Sequence, residues 1–244
     1  MKRHFYFFTF IYQWCIFIPL FAVSTILTAL ATIILTPIFK DSRIAYWPSL
    51  KWAQFACKGM FMQIEVIGGD KIDPSKSYIF AANHQSAYDV FLLYGWLNVR
   101  FKWIMKKELR KVPFVGAACE AAGHIFIDRR NALSAVKSIE KAQKKLQNGA
   151  SITVFPEGTR SRNGKLGKFK RGAFTLAGSI GLPIVPITIK GTYETLPKES
   201  CNIHPGKLTL IIHDPIPYSK TLFEDNQHEL MSQVRAIIEQ DLIH

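Results

Sequence analysis

The segment NHQSAYD, residues 83–89, sets polar side chains between two apolar runs that are typical of a protein core. His84 precedes Asp89 by five positions, so a folded loop can bring the carboxylate to one imidazole nitrogen. The other nitrogen is then available to accept a proton, and histidine is the side chain best suited to that near neutral pH. The spacing indicates a general base, and a helix cap made by Ser86 or Asn83 explains this segment alone equally well.

The segment GHIFIDRR, residues 123–130, ends in a second polar group. Asp128, Arg129 and Arg130 follow a short apolar run that we predict to be a strand. Neighbouring guanidinium groups are suited to bidentate binding of a phosphate or a carboxylate. A solvated charge cluster at the start of the next helix explains the same residues, so both explanations stay open.

A third polar group opens the segment FPEGTRSRNGKLGKFKR, residues 155–171, in which lysines and arginines crowd a loop. The segment differs from a phosphate-binding P-loop, because its glycines are one residue too far apart and Leu166 stands where Ser or Thr would bind magnesium. We therefore predict an electropositive loop with a single carboxylate at its start. The first polar residues of the loop are Glu157, Gly158, Thr159 and Arg160.

Other catalytic groups are not indicated. The sequence contains neither a GxSxG nucleophile elbow nor an HExxH zinc motif. Its four cysteines are scattered without a CxxC pair, so we expect no metal site and no disulfide framework. Without a nucleophile elsewhere, the interpretation of His84 as a base gains weight.

Short apolar runs alternate with helical stretches after residue 60. We predict strands over QIEVIG, SYIFAA, RFKWIM, HIFID, SITVF, PIVPITIKG and KLTLIIH. We predict helices over YDVFLLYGWL, PFVGAACEAAG, Asn131 to Gly149, GAFTLAGSIG and the tail from about Asn226. This alternation is typical of an α/β fold with a mixed, mainly parallel sheet and helices on both faces. Reactive groups in such folds collect where strands end.

The N-terminal segment has a different character, because no charged residue occurs from Phe5 to Phe39. As a helix it would be roughly 52 Å long at about 1.5 Å per residue, which exceeds the roughly 30 Å hydrocarbon core of a bilayer. We expect Pro19 to divide it into two shorter helices or a re-entrant hairpin. Residues 1–60 are predicted to form hydrophobic and interfacial helices that anchor the chain in a membrane, and residues 61–244 the α/β domain.

The net charge of +13 restricts the partners to nucleic acid, an anionic bilayer or an acidic protein. No nucleic-acid-binding motif is present, so we expect an anionic membrane surface and no nucleic acid. Basic residues flank the apolar run on both sides and favour cytoplasmic ends. The expected location is thus the cytoplasmic face of the cell (inner) membrane. The flanking residues are Lys2, Arg3, Lys40 and Arg43.

Taken together, NHQSAYD, GHIFIDR, FPEGTRS and LPIVPITI, in that order between about Ile64 and Thr192, resemble the four motif blocks of the glycerolipid acyltransferase family. The pattern is most similar to that of bacterial-type lysophosphatidic acid acyltransferases. The resemblance implies transfer of a fatty acyl group from acyl carrier protein (ACP) or coenzyme A (CoA) to the free hydroxyl of lysophosphatidic acid. The product would be phosphatidic acid, and no cofactor besides the thioester co-substrate would be needed.

The resemblance also implies roles for individual residues. His84 would be the general base, oriented by Asp89. The oxyanion would be bound by Lys106 or Lys107, or by a backbone N–H near Gly158. Pro186 would form part of an apolar wall for the acyl chains. The phosphate of the acceptor would be held by Arg129 and Arg160, in a pocket shaped by Glu157, Gly158 and Thr159.

The sequence leaves three alternative functions open. The same fold could acylate a different lysolipid acceptor. It could act as a thioesterase in which His84 activates water. It could also bind lipid at a membrane without catalysis.

Overall fold

The computed structural model of the chain describes residues 8–40, 42–128 and 151–243. Within these ranges seven strands form one sheet. The strands are β1 Gln63–Ile67, β2 Ile79–Ala82, β3 Phe101–Lys106, β4 Ile125–Ile127, β5 Ser151–Val154, β6 Ile184–Lys190 and β7 Lys207–Ile212. Their order across the sheet is β1-β7-β6-β2-β5-β3-β4, and neighbours run parallel except β6 and β7. The predicted mixed, mainly parallel sheet is confirmed.

Helices cover both faces of this sheet. The described helices are α1 Phe8–Phe39, α2 Arg43–Lys58, α3 Tyr88–Trp96, α4 Val115–Ala121, α5 Arg171–Ile180, α6 Thr192–Thr195 and α7 Gln227–Ile243. Along β2, Phe80 and Ala82 pack in one buried cluster with α2 and α3, whereas Ile79 and Ala81 pack in another with α5 and α7. Successive strand side chains point to opposite faces, so each face has its own core. The helix predicted from 131 to 149 lies outside the described residues.

The central strand β2 determines where the polar segments meet. It lies between β5 and β6 and is parallel to both. Because β2 ends at Ala82 and β5 ends at Val154, the segments that follow them leave the sheet at the same edge. The first and third polar groups of the sequence are therefore brought together by strand pairing.

Helix α1 continues through Pro19, so the predicted division of the apolar run at this residue is wrong. A π-helical turn, Gln13–Phe17, precedes the proline. The wider turn alters the backbone hydrogen bonding where proline lacks an N–H and its ring would press on the preceding turn. Among the described helices, α1 alone is long and apolar enough to cross a membrane, judged by length and composition.

The N-terminal helices are fastened to the rest of the chain by polar contacts. Trp52 on α2 donates its indole N–H to Thr25 Oγ1 on α1 at 2.9 Å. Near the other end of α1, Gln13 Nε2 donates to the carbonyl of Cys201 at 2.6 Å, and its Oε1 accepts the N–H of Ile203 at 2.8 Å. These contacts place α1 on the body of the protein. The division of the chain at residue 60 stays a prediction.

Candidate active site

His84 and Asp89 form a hydrogen-bonded pair at the carboxyl end of β2. Asp89 lies in the first turn of α3 and is fully buried. Its Oδ2 accepts a bond from His84 Nδ1 at 2.7 Å and from the backbone N–H groups of Gln85 and Ser86 at 2.7 and 2.9 Å. An oxygen that accepts two backbone N–H groups serves as an acceptor for the imidazole as well. His84 Nδ1 therefore carries the proton, and Nε2 has the free lone pair.

The helix-cap explanation accounts for other residues of the segment. Ser86 Oγ accepts the N–H of Tyr88 at 3.2 Å, at the start of α3, and donates to the carbonyl of Leu196 at 2.8 Å. Asn83 instead exchanges two bonds with the backbone of Ile189 in β6, at 2.9 and 2.7 Å. Ser86 thus supports the helix start, Asn83 fixes the end of β2, and the His84 side chain is left to pair with Asp89.

An aromatic stack fixes the plane of the His84 ring. The ring lies against Phe155 with centroids 3.8 Å apart and an interplanar angle of 7°. Phe155 in turn stacks on Trp103 of β3, at 5.4 Å and 25°. The hydrogen bond to Asp89 and this stack together restrain both the direction and the tilt of the imidazole.

Glu157 connects the loop that carries His84 to the basic loop after β5. Its side chain is buried, and its two oxygens accept the backbone N–H groups of His84 at 2.6 Å and Gly167 at 2.7 Å. Burial raises the pKa of Glu157, and the two backbone donors oppose that rise. Since both oxygens already have donors, Glu157 can contribute to a phosphate pocket only through the loops that it positions.

The loop after β5 turns sharply and returns to His84. Gly158 adopts a φ of +70°, which favours glycine, and donates its N–H to the carbonyl of Phe155 at 2.9 Å. Ser161 donates its N–H to the carbonyl of His84 at 2.8 Å. The Gly158 N–H is thus engaged in the turn. Lys106 and Gly158 both line the cavity described below, and the identity of the oxyanion donor stays a prediction.

A cavity of about 470 Å³ opens beside the His84 ring. Gly158, Thr159 and Arg160 line its polar end, together with Lys106 and Lys198. Its other walls are largely apolar and come from α1, α2, α3, β3 and α4. These walls include Thr25, Thr28, Ala29, Thr32, Trp52, Val90, Trp103, Leu109, Val115, Ala118 and His124.

Two features of this cavity were missed from the sequence. The contribution of α1 was not predicted, because that helix was assigned to a separate anchor. Lys198 was not predicted either, yet its Nζ donates to Thr159 Oγ1 at 3.2 Å and to the carbonyl of Arg160 at 3.3 Å. Pro186 is buried in β6 and is not among the described residues that line the cavity. Arg129 lies outside the described residues, so its predicted role in phosphate binding stays a prediction.

Comparison with known proteins agrees with this geometry. Residues 63–190, just over half of the chain, match the family described as Acyltransferase. The chain is 38% identical to the chloroplastic 1-acyl-sn-glycerol-3-phosphate acyltransferase LPAT1 of Arabidopsis thaliana over 66% of its own length and 45% of that protein. It is 36% identical to 1-acyl-sn-glycerol-3-phosphate acyltransferase alpha of Homo sapiens over 71% of its own length and 62% of that protein. The chain thus spans about half the length of the algal and plant relatives that it matches.

A solved structure extends the likeness to nearly the whole chain. It is the crystal structure of the 1-acyl-sn-glycerophosphate acyltransferase PlsC from Thermotoga maritima, with a TM-score of 0.69 and 31% identity. The likeness covers 91% of this chain and 93% of that one. The matched residues 63–190 contain the His84–Asp89 pair and the loop at 157–160. This chain therefore belongs to the acyltransferase family.

Proposed function

We propose that the protein transfers a fatty acyl group from a thioester, on ACP or CoA, to the free hydroxyl of lysophosphatidic acid. The products are phosphatidic acid and the free thiol. The observation that carries this proposal is the pairing of His84 with buried Asp89 beside a largely apolar cavity that Arg160 also lines. The relatives described above are 1-acyl-sn-glycerol-3-phosphate acyltransferases, which supports the same reaction.

In the proposed mechanism, Nε2 of His84 takes the proton of the acceptor hydroxyl as its oxygen attacks the thioester carbonyl. Asp89 stabilises the imidazolium that forms. The tetrahedral intermediate then collapses, the carbon–sulfur bond breaks, and the proton passes from His84 to the leaving sulfur. Lys106 is the proposed donor to the oxyanion, an interaction whose loss typically costs about 10²–10³ in rate.

The walls of the cavity suit an acyl chain, and the surface of α1 suits a bilayer. Large apolar side chains of α1 such as Leu20, Val23 and Leu27 are more than half exposed. An exposed apolar surface of this extent fits contact with lipid. We infer that α1 holds the cavity at the cytoplasmic face of the cell membrane, where a lysolipid can enter from the bilayer.

The proposed function is tested with the purified full chain in detergent or vesicles. Radiolabelled acyl-ACP and acyl-CoA are supplied in turn, with lysophosphatidic acid as acceptor, and we expect labelled phosphatidic acid from at least one donor. Release of free fatty acid that lysophosphatidic acid does not suppress would instead indicate a thioesterase. Preference for a lysolipid with a larger headgroup would contradict the proposed acceptor.

Arg160→Ala is expected to raise the KM for lysophosphatidic acid about 10- to 100-fold. The guanidinium lines the polar end of the cavity, and a hydrogen bond to a charged group is worth about 1.5–3 kcal/mol. The matched control is Arg162→Ala, since Arg162 forms an exposed ion pair with Glu199 and does not line the cavity. An equal effect of both substitutions, measured as KM for acceptor, would show that Arg160 acts through overall charge alone.

Phe155→Leu is expected to lower kcat about 2- to 10-fold while leaving both KM values nearly unchanged. The substitution removes the ring that stacks on His84, and aromatic pairs contribute about 0.5–1.5 kcal/mol beyond burial. Phe155→Tyr keeps the stack and should retain most of the rate. If Leu and Tyr variants behave alike in steady-state assays, the stack does not position the base.

A further inference from the structure

The segment at residues 107–114 joins β3 to α4 and combines exposed apolar side chains with basic ones. Leu109, Val112 and Phe114 are 42%, 41% and 51% exposed. The first part of the segment is a 3₁₀ helix, Lys107–Lys111, with basic residues in its last turn. Leu109 also lines the cavity, whereas the proposed reaction gives Val112 and Phe114 no role.

Phe114 combines a strained backbone with an exposed ring. Phe114 has a φ of +59°, and the N–H of Val115 bonds the carbonyl of Pro113 at 2.6 Å. A three-residue turn with positive φ at its centre is rare and strained, especially for a bulky residue. Strain of this kind persists where the surrounding structure imposes it, often at functional positions.

Neighbouring contacts impose this backbone. A Cβ on Gly116 would lie 2.1 Å from the carbonyl oxygen of Arg110, so the segment folds back tightly on the start of α4. Arg110 also forms a two-point ion pair with Glu120 on α4. The apolar side chains are therefore presented outward by a fixed turn.

The segment lies beside the apolar surface of α1. Helix α4 packs directly against α1. Leu109 and Val115 line the same cavity as Thr25 and Thr28 of α1. The segment thus lies beside the helix that we place at the bilayer.

The geometry points to a second lipid contact, in which residues 107–114 insert Leu109, Val112 and Phe114 into the headgroup layer of an anionic bilayer. Lys107 and Lys111 then lie at the level of the lipid phosphates. Apolar and aromatic side chains flanked by cations are what interfacial segments use, and anionic lipid complements the charge. This inference rests on the proposed membrane attachment of α1 and is independent of the acyl donor and acceptor.

The test uses the full chain reconstituted in phosphatidylcholine vesicles with and without phosphatidylglycerol. Cys15→Ser and Cys201→Ser remove the exposed cysteines, and Phe114→Cys then carries an environment-sensitive fluorophore. Lipids brominated on the acyl chain serve as quenchers. Leu27→Cys reports α1, and Lys76→Cys reports the loop that precedes β2, at the opposite end of that strand from His84.

We expect the label at position 114 to shift to the blue and lose most of its emission to the quencher in anionic vesicles. The label at position 76 should change little. Adding Lys111→Glu should reduce quenching at position 114 in anionic vesicles only, whereas Lys76→Glu should not reduce it.

Quenching at position 27 without quenching at position 114 would overturn the second contact and leave the attachment of α1 intact. No quenching at either position would overturn both. The emission of the label at position 114 is also measured after ACP is added. If ACP changes this emission more than vesicles do, the lipid assignment is overturned in favour of a protein-binding surface.

Discussion

His84→Ala is expected to reduce acyl transfer by at least about 10²–10⁴-fold, the range that a positioned general base contributes. The physical reason is that His84 lines the cavity and its Nε2 has the free lone pair, since Nδ1 is held by Asp89 at 2.7 Å. The loss should appear in kcat, because the acyl chain and the phosphate are bound by other parts of the cavity. The measurement is steady-state transfer from acyl-ACP or acyl-CoA to lysophosphatidic acid.

The control for this variant is His204→Ala, because His204 is exposed and does not line the cavity. That substitution should leave the rate within about twofold, the range expected of surface changes within about 0.5 kcal/mol. Vesicle binding of His84→Ala should equal that of the unsubstituted chain, since α1 is unaltered. Turnover by His84→Ala close to the unsubstituted rate would remove His84 from the mechanism.

The meeting of the first and third polar segments could be predicted from the sequence. Each follows an apolar run that becomes a strand, and the carboxyl ends of parallel strands lie at one edge of a sheet. The pairing of β2 with β5 supplies that geometry, so His84 and the loop at 157–160 become neighbours. Local sequence patterns were sufficient to predict this meeting, because each polar segment directly follows its strand.

The cavity walls could not be predicted in the same way. Gln13 contacts a residue 188 positions later, and Lys198 contacts the loop at 159–160 from 38 positions away. Local periodicity carries no information about such partners. The break expected at Pro19 was also wrong, because a π-helical turn accommodates the proline and lets α1 extend along the cavity.

Glu157 shows how a residue type can indicate a site without indicating its role. In the sequence it stands at the entrance of an electropositive loop, and it was expected to shape the phosphate pocket. In the structure its oxygens accept the N–H groups of His84 and Gly167, so it joins the loop that carries His84 to the basic loop. Only the burial of its side chain distinguishes these roles, and burial depends on the packing of the whole chain.

Asp89→Asn is expected to lower kcat by about 10³-fold while keeping the fold. In the asparagine side chain, the amide oxygen can take the position of Oδ2 and accept the same three hydrogen bonds. The NH₂ group then takes the position of Oδ1, which has no hydrogen-bond partner among the described residues. The tautomer of His84 is then preserved, but the charge that stabilises the imidazolium is lost. Two unit charges about 4 Å apart at an effective dielectric constant of about 20 interact by about 4 kcal/mol, which corresponds to about three orders of magnitude in rate.

The measurement for Asp89→Asn is kcat and both KM values, with thermal unfolding to show that the fold persists. Asp214→Asn is the matched control, because Asp214 is exposed and pairs with Lys71 away from the cavity. A rate within about tenfold of the unsubstituted chain would mean that the charge of Asp89 contributes less than about 1.4 kcal/mol to the transition state. Its role would then be limited to orienting His84, so this variant separates orientation of the base from stabilisation of its charged form.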